Sequence, residues 1–270
     1  MQNLSSKPIG IFDSGLGGLT VVKELIKLLP HEDLIYLGDT ARVPYGTRSV
    51  EIIRKFSEDD TKFLINKDVK LVVIACNTSS AVASKYLKNK FKNIPIFEVI
   101  SSASEEAAKL GINIGVIGTP ATVRSASYSN NIKKNSSKAK VKEVACPLFV
   151  PFIEEGEADS ASLKLITKKY LSNLKKNKID TLVMGCTHYP IIEDIISEEI
   201  GKNVHLVNPG QSVAKEVSSF LYKGNLLNDQ KGDGKIKFFV TDLTERFTKI
   251  TQMFLGGRIK GRINKVVLNP

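Results

Sequence analysis

Apolar runs of four to six residues, each followed by an amphipathic stretch, recur along almost the whole chain, and this alternation limits the possible folds most sharply. Ile9–Phe12, Leu34–Leu37, Leu71–Ala75, Ile96–Val99, Ile114–Ile117, Val141–Ala145, Thr181–Met184, Val204–Val207 and Ile236–Thr241 read as strands. Leu19–Leu29, Ser49–Asn66, Ser79–Asn89, Ala121–Lys133, Ser160–Lys176, Ile191–Ile200, Gln211–Leu221 and Thr244–Phe254 read as helices. Strands that alternate with helices build parallel α/β sheets. Runs such as LVVIA are apolar at every position, as strands are when helices cover both faces of the sheet.

A long-period repeat narrows the choice further. LVVIACNT (71–78) aligns with TLVMGCTH (181–188), which places the cysteines 110 positions apart. IGIFDS (9–14) aligns with IGVIGT (114–119) at an offset of 105. Two similar offsets predict two similar α/β units facing each other, with Cys76 and Cys186 on opposite walls of one cleft.

Composition excludes several classes. At 270 residues, with 42% hydrophobic and 25% charged side chains, the chain can bury a core unaided, so disorder is not its overall state. The longest apolar run, Leu71–Cys76, is far below the roughly 18–20 residues of a membrane span. Met1–Gly10 has no apolar stretch of secretory type, and three cysteines do not make a disulfide framework, so a cytoplasmic protein is expected. The net charge of +11 raises a nucleic-acid partner. Of the 39 basic residues, however, only 7 are Arg, there is no Trp, and the run Lys133–Lys142 is interleaved with Asn and Ser instead of stacking aromatics. A solvated lysine surface is the plainer reading.

The chemistry concentrates at strand ends. Ligands of parallel α/β sheets sit beyond the carboxyl ends of the strands. Cys76 and Cys186 both stand there, followed by Asn77-Thr78 and Thr187-His188 where the next helix is expected to begin. A helix N-terminus offers free N–H groups and a positive dipole end, which suits a carboxylate or a thiolate. Cys146, in Ala145-Cys146-Pro147, lacks such followers and reads as structural. The cysteines and the three histidines form no metal-ligand spacing, so no metal is expected. Asp13-Ser14-Gly15-Leu16-Gly17-Gly18 brings a carboxylate and a hydroxyl to the cleft mouth, but Thr20 stands where a dinucleotide fingerprint needs its third glycine. Asp39 and Pro44-Tyr45-Gly46 lie in the connection after the second strand, where the turn could offer N–H groups and a phenol to a ligand. Glu154, near a loop, could orient His188.

Together these motifs resemble the glutamate racemases, within the aspartate/glutamate racemase family. The resemblance is carried by IGIFDSGLGGLTV (9–21), GDTARVPYGTRS (38–49), IACNTSSA (74–81), GVIGTPATV (115–123), CPLFVPFIEEG (146–156), MGCTHYP (184–190) and VNPG (207–210), in order over nearly the whole chain. It implies two pseudo-symmetric parallel-sheet domains across a central cleft. Residues 1–98 completed by 208–270 would form one domain and 99–207 the other. It also implies catalytic acid/bases at Cys76 and Cys186. Substrate contacts would come from Asp13, Ser14, Tyr45, Gly46, Asn77, Thr78, Thr187 and His188, with Asp39 and Glu154 as supporting polar groups. No cofactor is implied. The expected partner is glutamate, with neither nucleic acid nor membrane, in a homodimer that supplies D-glutamate for peptidoglycan.

That chemistry agrees with the residues. Inverting a stereocentre by proton transfer needs one group to remove the Cα proton and another to deliver a proton on the opposite face. A thiol of ordinary pKa, about 8.5, can serve as either. Two other classes stay open. A cysteine hydrolase would use Cys186 with His188, although residues two apart rarely form a nucleophile–base pair and Cys76 would be idle. A basic binding module would show steep salt dependence toward nucleic acid. Within the racemase class, an aspartate or hydantoin racemase is the near neighbour.

Overall fold

The computed structural model describes residues 4–243 and 263–268. Its strands are β1 (Ile9–Asp13), β2 (Leu34–Gly38), β3 (Leu71–Ile74), β4 (Ile96–Glu98), β5 (Asn113–Gly118), β6 (Lys140–Ala145), β7 (Thr181–Gly185), β8 (His205–Val207), β9 (Ile236–Val240) and β10 (Ile263–Lys265). The helices are α1 (Leu19–Leu28), α2 (Val50–Ile65), α3 (Asn77–Lys90), α4 (Val99–Leu110), α5 (Pro120–Arg124), α6 (Ser127–Asn135), α7 (Phe149–Glu154), α8 (Ala161–Lys176), α9 (Glu193–Ile200) and α10 (Pro209–Lys223).

Two parallel sheets result. One runs β10-β9-β2-β1-β3-β4 and the other β6-β5-β7-β8. Within each, the first strand of the unit lies between the second and the third, so β1 and β5, like β3 and β7, hold equivalent places. The sequence repeat aligned these same strands. All residues of β1, β2, β3 and β7 are buried, in keeping with their unbroken apolar character. In such an order the chain leaves the central pair in opposite directions, which opens a crevice at their carboxyl ends. The crevices of the two sheets are where Ser14 and Cys76, and Thr119 and Cys186, leave the strands.

Local signals explain most boundaries. Ser49 caps α2 by accepting from Ile52 N at 3.4 Å, and Ser160 caps α8 by accepting from Leu163 N at 3.2 Å. The single helix expected over Ala121–Lys133 is two, because Ala126 takes a left-handed conformation with φ 51° between α5 and α6. Helices α4 and α7 and strand β10 have no counterpart in the sequence reading. Glu154 ends α7 and Glu155 caps it, at the edge of the loop that leads to α8. The helix expected over Thr244–Phe254 lies outside the described residues. No helix among the described residues is long and apolar enough to cross a membrane.

Candidate active site

A cavity of about 370 Å³ opens between the ends of the two central strand pairs. Cys76 and Cys186 both line it, with Ser14, Asn77, Thr78, Thr187, His188 and Glu154. Tyr45 and Gly46 form part of its wall. A wider surface groove of about 580 Å³ lies elsewhere, between α4 and α10, and holds none of these residues.

Cys76 is the N-cap of α3, its sulfur accepting from Ser79 N at 3.5 Å and lying 3.5 Å from Ser14 Oγ. Burial, followed by the charge of Asp13, raises its pKa to about 11 and outweighs the donors from Ser14 and Ser79. The helix start therefore does not make Cys76 a thiolate: at neutral pH it is a thiol, a correction to the expectation of an ordinary pKa. Cys186 differs. No α-helix begins at its side: a 3-10 turn runs over Tyr189–Ile192 with Pro190 as its second residue, and α9 opens only at Glu193. What Cys186 has instead is His188, whose Nδ1 lies 3.8 Å from its sulfur, while His188 Nε2 contacts Glu154 Oε1 at 3.0 Å. Burial opposes a charged imidazole, but the hydrogen bonds to Cys186 and Glu154 prevail and push His188 up to about 10. Residues two apart thus do meet here, against the sequence argument.

The remaining polar groups fall into two sets. Asn77 and Thr78 face the cavity from the first turn of α3. Asn77 Oδ1 accepts from Tyr128 Oη at 2.6 Å, while its buried Nδ2 has no partner. Thr78 Oγ1 lies 3.2 Å from Thr119 Oγ1, so hydroxyls of the two units meet across the cleft. Thr187 presents its side chain to the cavity, and its carbonyl accepts from Thr20 Oγ1 at 2.9 Å. Asp13 and Asp39 stand behind the wall and do not line it. Burial lifts the Asp13 carboxyl above its usual range, against the pull of His188 and the N–H groups of Gly18 and Gly15. Tyr45 offers no phenol to a ligand: its hydroxyl is turned to the buried carboxylates of Asp39 and Asp60. Gly46 lets the loop pass close to the second unit, since a Cβ there would sit 3.3 Å from Thr119 Cβ.

Thr119 and Pro120 line the cavity and were not singled out from the sequence. The signal was available, because Thr119 occupies the place in the repeat that Ser14 holds in the first unit. Cys146 is buried and its thiol is pushed far up by burial, then by Cys186, yet it also reaches the cavity wall. Among the described residues no group of three or more His, Cys, Asp or Glu side chains is arranged to hold a metal ion.

Known proteins give this geometry its context. The chain is 46% identical over 255 residues to the glutamate racemase of Geobacter metallireducens, covering 94% of each chain. It is 46% identical over 259 residues to that of Thermoanaerobacter pseudethanolicus, covering 95% of this chain and 96% of the relative. Among solved structures, the glutamate racemase of Francisella tularensis in complex with D-glutamate superposes with a TM-score of 0.92 at 41% identity, over 98% of this chain and 99% of that one. The model of the Asp/Glu/hydantoin racemases matches residues 9–217. This chain belongs to the Asp/Glu/hydantoin racemase family.

Proposed function

We propose that this chain is a cofactor-independent glutamate racemase in which Cys76 and Cys186 exchange the Cα proton of glutamate from opposite faces. The observation that carries the reading is that two thiols, from equivalent strands of the two sheets, open into one cavity. The D-glutamate bound by the Francisella tularensis relative supports the choice of substrate. Cytoplasmic supply of D-glutamate for peptidoglycan is part of the same proposal.

The two sulfurs stand in different settings. Cys76 carries its proton at neutral pH and is the acid poised to deliver it. In the same direction Cys186, its sulfur 3.8 Å from His188 Nδ1, takes the role of base. Once a proton has crossed, the roles reverse and the opposite enantiomer becomes the substrate. The Cα proton is very weakly acidic, so charge developing on the substrate carboxylate needs fixed donors. The unpartnered Asn77 Nδ2 and the hydroxyls of Ser14, Thr78 and Thr187, residues that line the cavity, would supply them.

Cys186, His188 and Glu154 also have the order of nucleophile, base and orienting carboxylate, so a hydrolase is the second reading. Cys76 separates the two, because a hydrolase has no use for it. L-Glutamate incubated with the protein in the absence of any added cofactor should lose its circular dichroism. Cys76→Ala and Cys186→Ala should each lower that rate by at least about 10³-fold, as loss of a general acid/base does, whereas Cys146→Ala should retain most of it. Full activity in Cys76→Ala together with acylation of Cys186 by an ester would favour the hydrolase.

A further inference from the structure

Behind the loop that walls the cavity lies a buried cluster with more carboxylates than cations. Asp39 follows β2, and Asp59 and Asp60 lie on α2. Arg42 sits among them, with Nε 2.5 Å from Asp39 Oδ2 and its terminal nitrogens 2.9 Å from Asp59 Oδ2 and 3.1 Å from Asp60 Oδ1. Asp39 and Asp60 are both fully buried. With every group in its usual form, three carboxylates would face one partly exposed guanidinium, a surplus of negative charge that two fully buried carboxyls tolerate poorly.

The hydrogen bonds locate the proton that relieves it. Tyr45 Oη reaches Asp39 Oδ2 and also Asp60 Oδ2, the latter at 3.1 Å. A phenol has one proton and can donate to only one of them. Asp39 is the acceptor, since its two oxygens already take Arg42 Nε and, at 2.9 Å, the hydroxyl of Thr241, as an ionised carboxylate does. An ionised Asp60 Oδ2 would then face only the lone pairs of the phenol. The contact is attractive only if Asp60 supplies the hydrogen itself.

We propose that Asp60 is a neutral carboxylic acid whose O–H donates to Tyr45 Oη, which in turn donates to Asp39, and that this relay makes Asp60 a positioning residue for the Pro44–Thr47 wall of the substrate cavity. Burial and the neighbouring Asp39 charge hold the Asp60 pKa well above the usual carboxylate range, against the pull of Arg42 and of the Tyr45 hydrogen bond and with a further push from Asp59. From α3, Cys76 shares a buried apolar cluster with Tyr45 and Ile53, and Tyr86 bonds Glu58 of α2. Ionising Asp60 replaces an attraction by a repulsion at Tyr45, and the wall that Tyr45 anchors loses its register with the substrate. Substrate binding should therefore weaken as pH rises, with KM affected before kcat.

The inference rests on the racemase reading for its kinetic arm and is independent of it for its spectroscopic one. Infrared difference spectra should show a carboxylic-acid carbonyl band at neutral pH that Asp60→Asn removes. In glutamate racemisation, the wild-type KM should climb with pH. It should stay flat in Asp60→Asn, whose amide can still donate to the phenol, and should be about tenfold higher throughout in Asp60→Ala, which offers no donor. Loss of the wild-type band on raising the pH tests the assignment without any variant. The proposal is overturned if no such band exists, if it survives in Asp60→Asn, or if Asp60→Asn and wild type share one KM profile. A band that behaves as stated in a protein that does not racemise glutamate would uphold the proton placement and reject the functional reading.

Discussion

His188 is held between Cys186 Sγ at 3.8 Å and Glu154 Oε1 at 3.0 Å, and that setting makes its proton part of the fold. Its folded pKa of about 10 stands above the ordinary value of 6.5, so the native state binds this proton more tightly than the unfolded chain does. The stabilisation is whole below about pH 6.5 and is lost as pH rises through about 10. Denaturant midpoints measured from pH 6 to 10 should fall further in the wild type than in His188→Asn, and parallel curves would contradict the assignment. At this scale the sequence was informative wherever a residue's place in the repeat announced it. Cys76, Cys186 and their polar followers stood out because strand ends are where parallel sheets bind ligands. Asp60 did not, because Ser57-Glu58-Asp59-Asp60 reads as a solvated acidic stretch, and its partners Asp39, Arg42 and Tyr45 come from the preceding connection. The Tyr45 phenol was assigned to the ligand because no sequence pattern shows which way a turn residue points.

At the scale of elements, the approach of the first β–α connection to the second unit decides how well the site is aligned. Thr20, at the start of α1, donates to the Thr187 carbonyl, and Gly17 packs directly beneath the same turn. A Cβ on Gly17 would stand 2.2 Å from Thr187 Oγ1 and 2.5 Å from His188 Nδ1. Gly17→Ala must therefore displace the Cys186–His188 turn. Displacements of about 1 Å cost on the order of 10²-fold in rate, so kcat should drop by that much while far-UV circular dichroism stays unchanged. A variant with wild-type kcat would show that the turn is not held by this contact. The elements that were not legible share a cause. Helix α4 starts at Val99 directly after β4, with Glu98 as last strand residue and cap in one, accepting from Ile100 N at 2.7 Å and Ser101 N at 2.9 Å. With no turn residue between them, the strand passes directly into the helix. Helix α7 spans only six residues and contains Pro151, and β10 is three residues long, so neither carries a period.

At the scale of the molecule, two sheets share one core. Ile9, Ile11 and Leu71 of the first sheet belong to the same buried cluster as Ile114, Val116 and Val183 of the second, joined through Val99, Ala103 and Ala107 of α4 and through Tyr128. We propose that the division into residues 1–98 with 208–270 and residues 99–207 is one of architecture and not of independent stability. Unfolding followed by circular dichroism and by tyrosine fluorescence should then give coincident, single transitions, whereas two separated transitions would show that each unit stands alone.

The same architecture brings two thiols to one cavity, and isotope transfer in deuterated water tests the proposed proton exchange between them most directly. A thiol is monoprotic, so the cysteine that removes the Cα hydrogen retains it while the facing cysteine has already exchanged with solvent. The first D-glutamate formed from L-glutamate should therefore carry deuterium at Cα almost completely, and the remaining L-glutamate should stay protiated until product accumulates and reverts. Protiated product, or L-glutamate deuterated ahead of product, would contradict a two-cysteine mechanism.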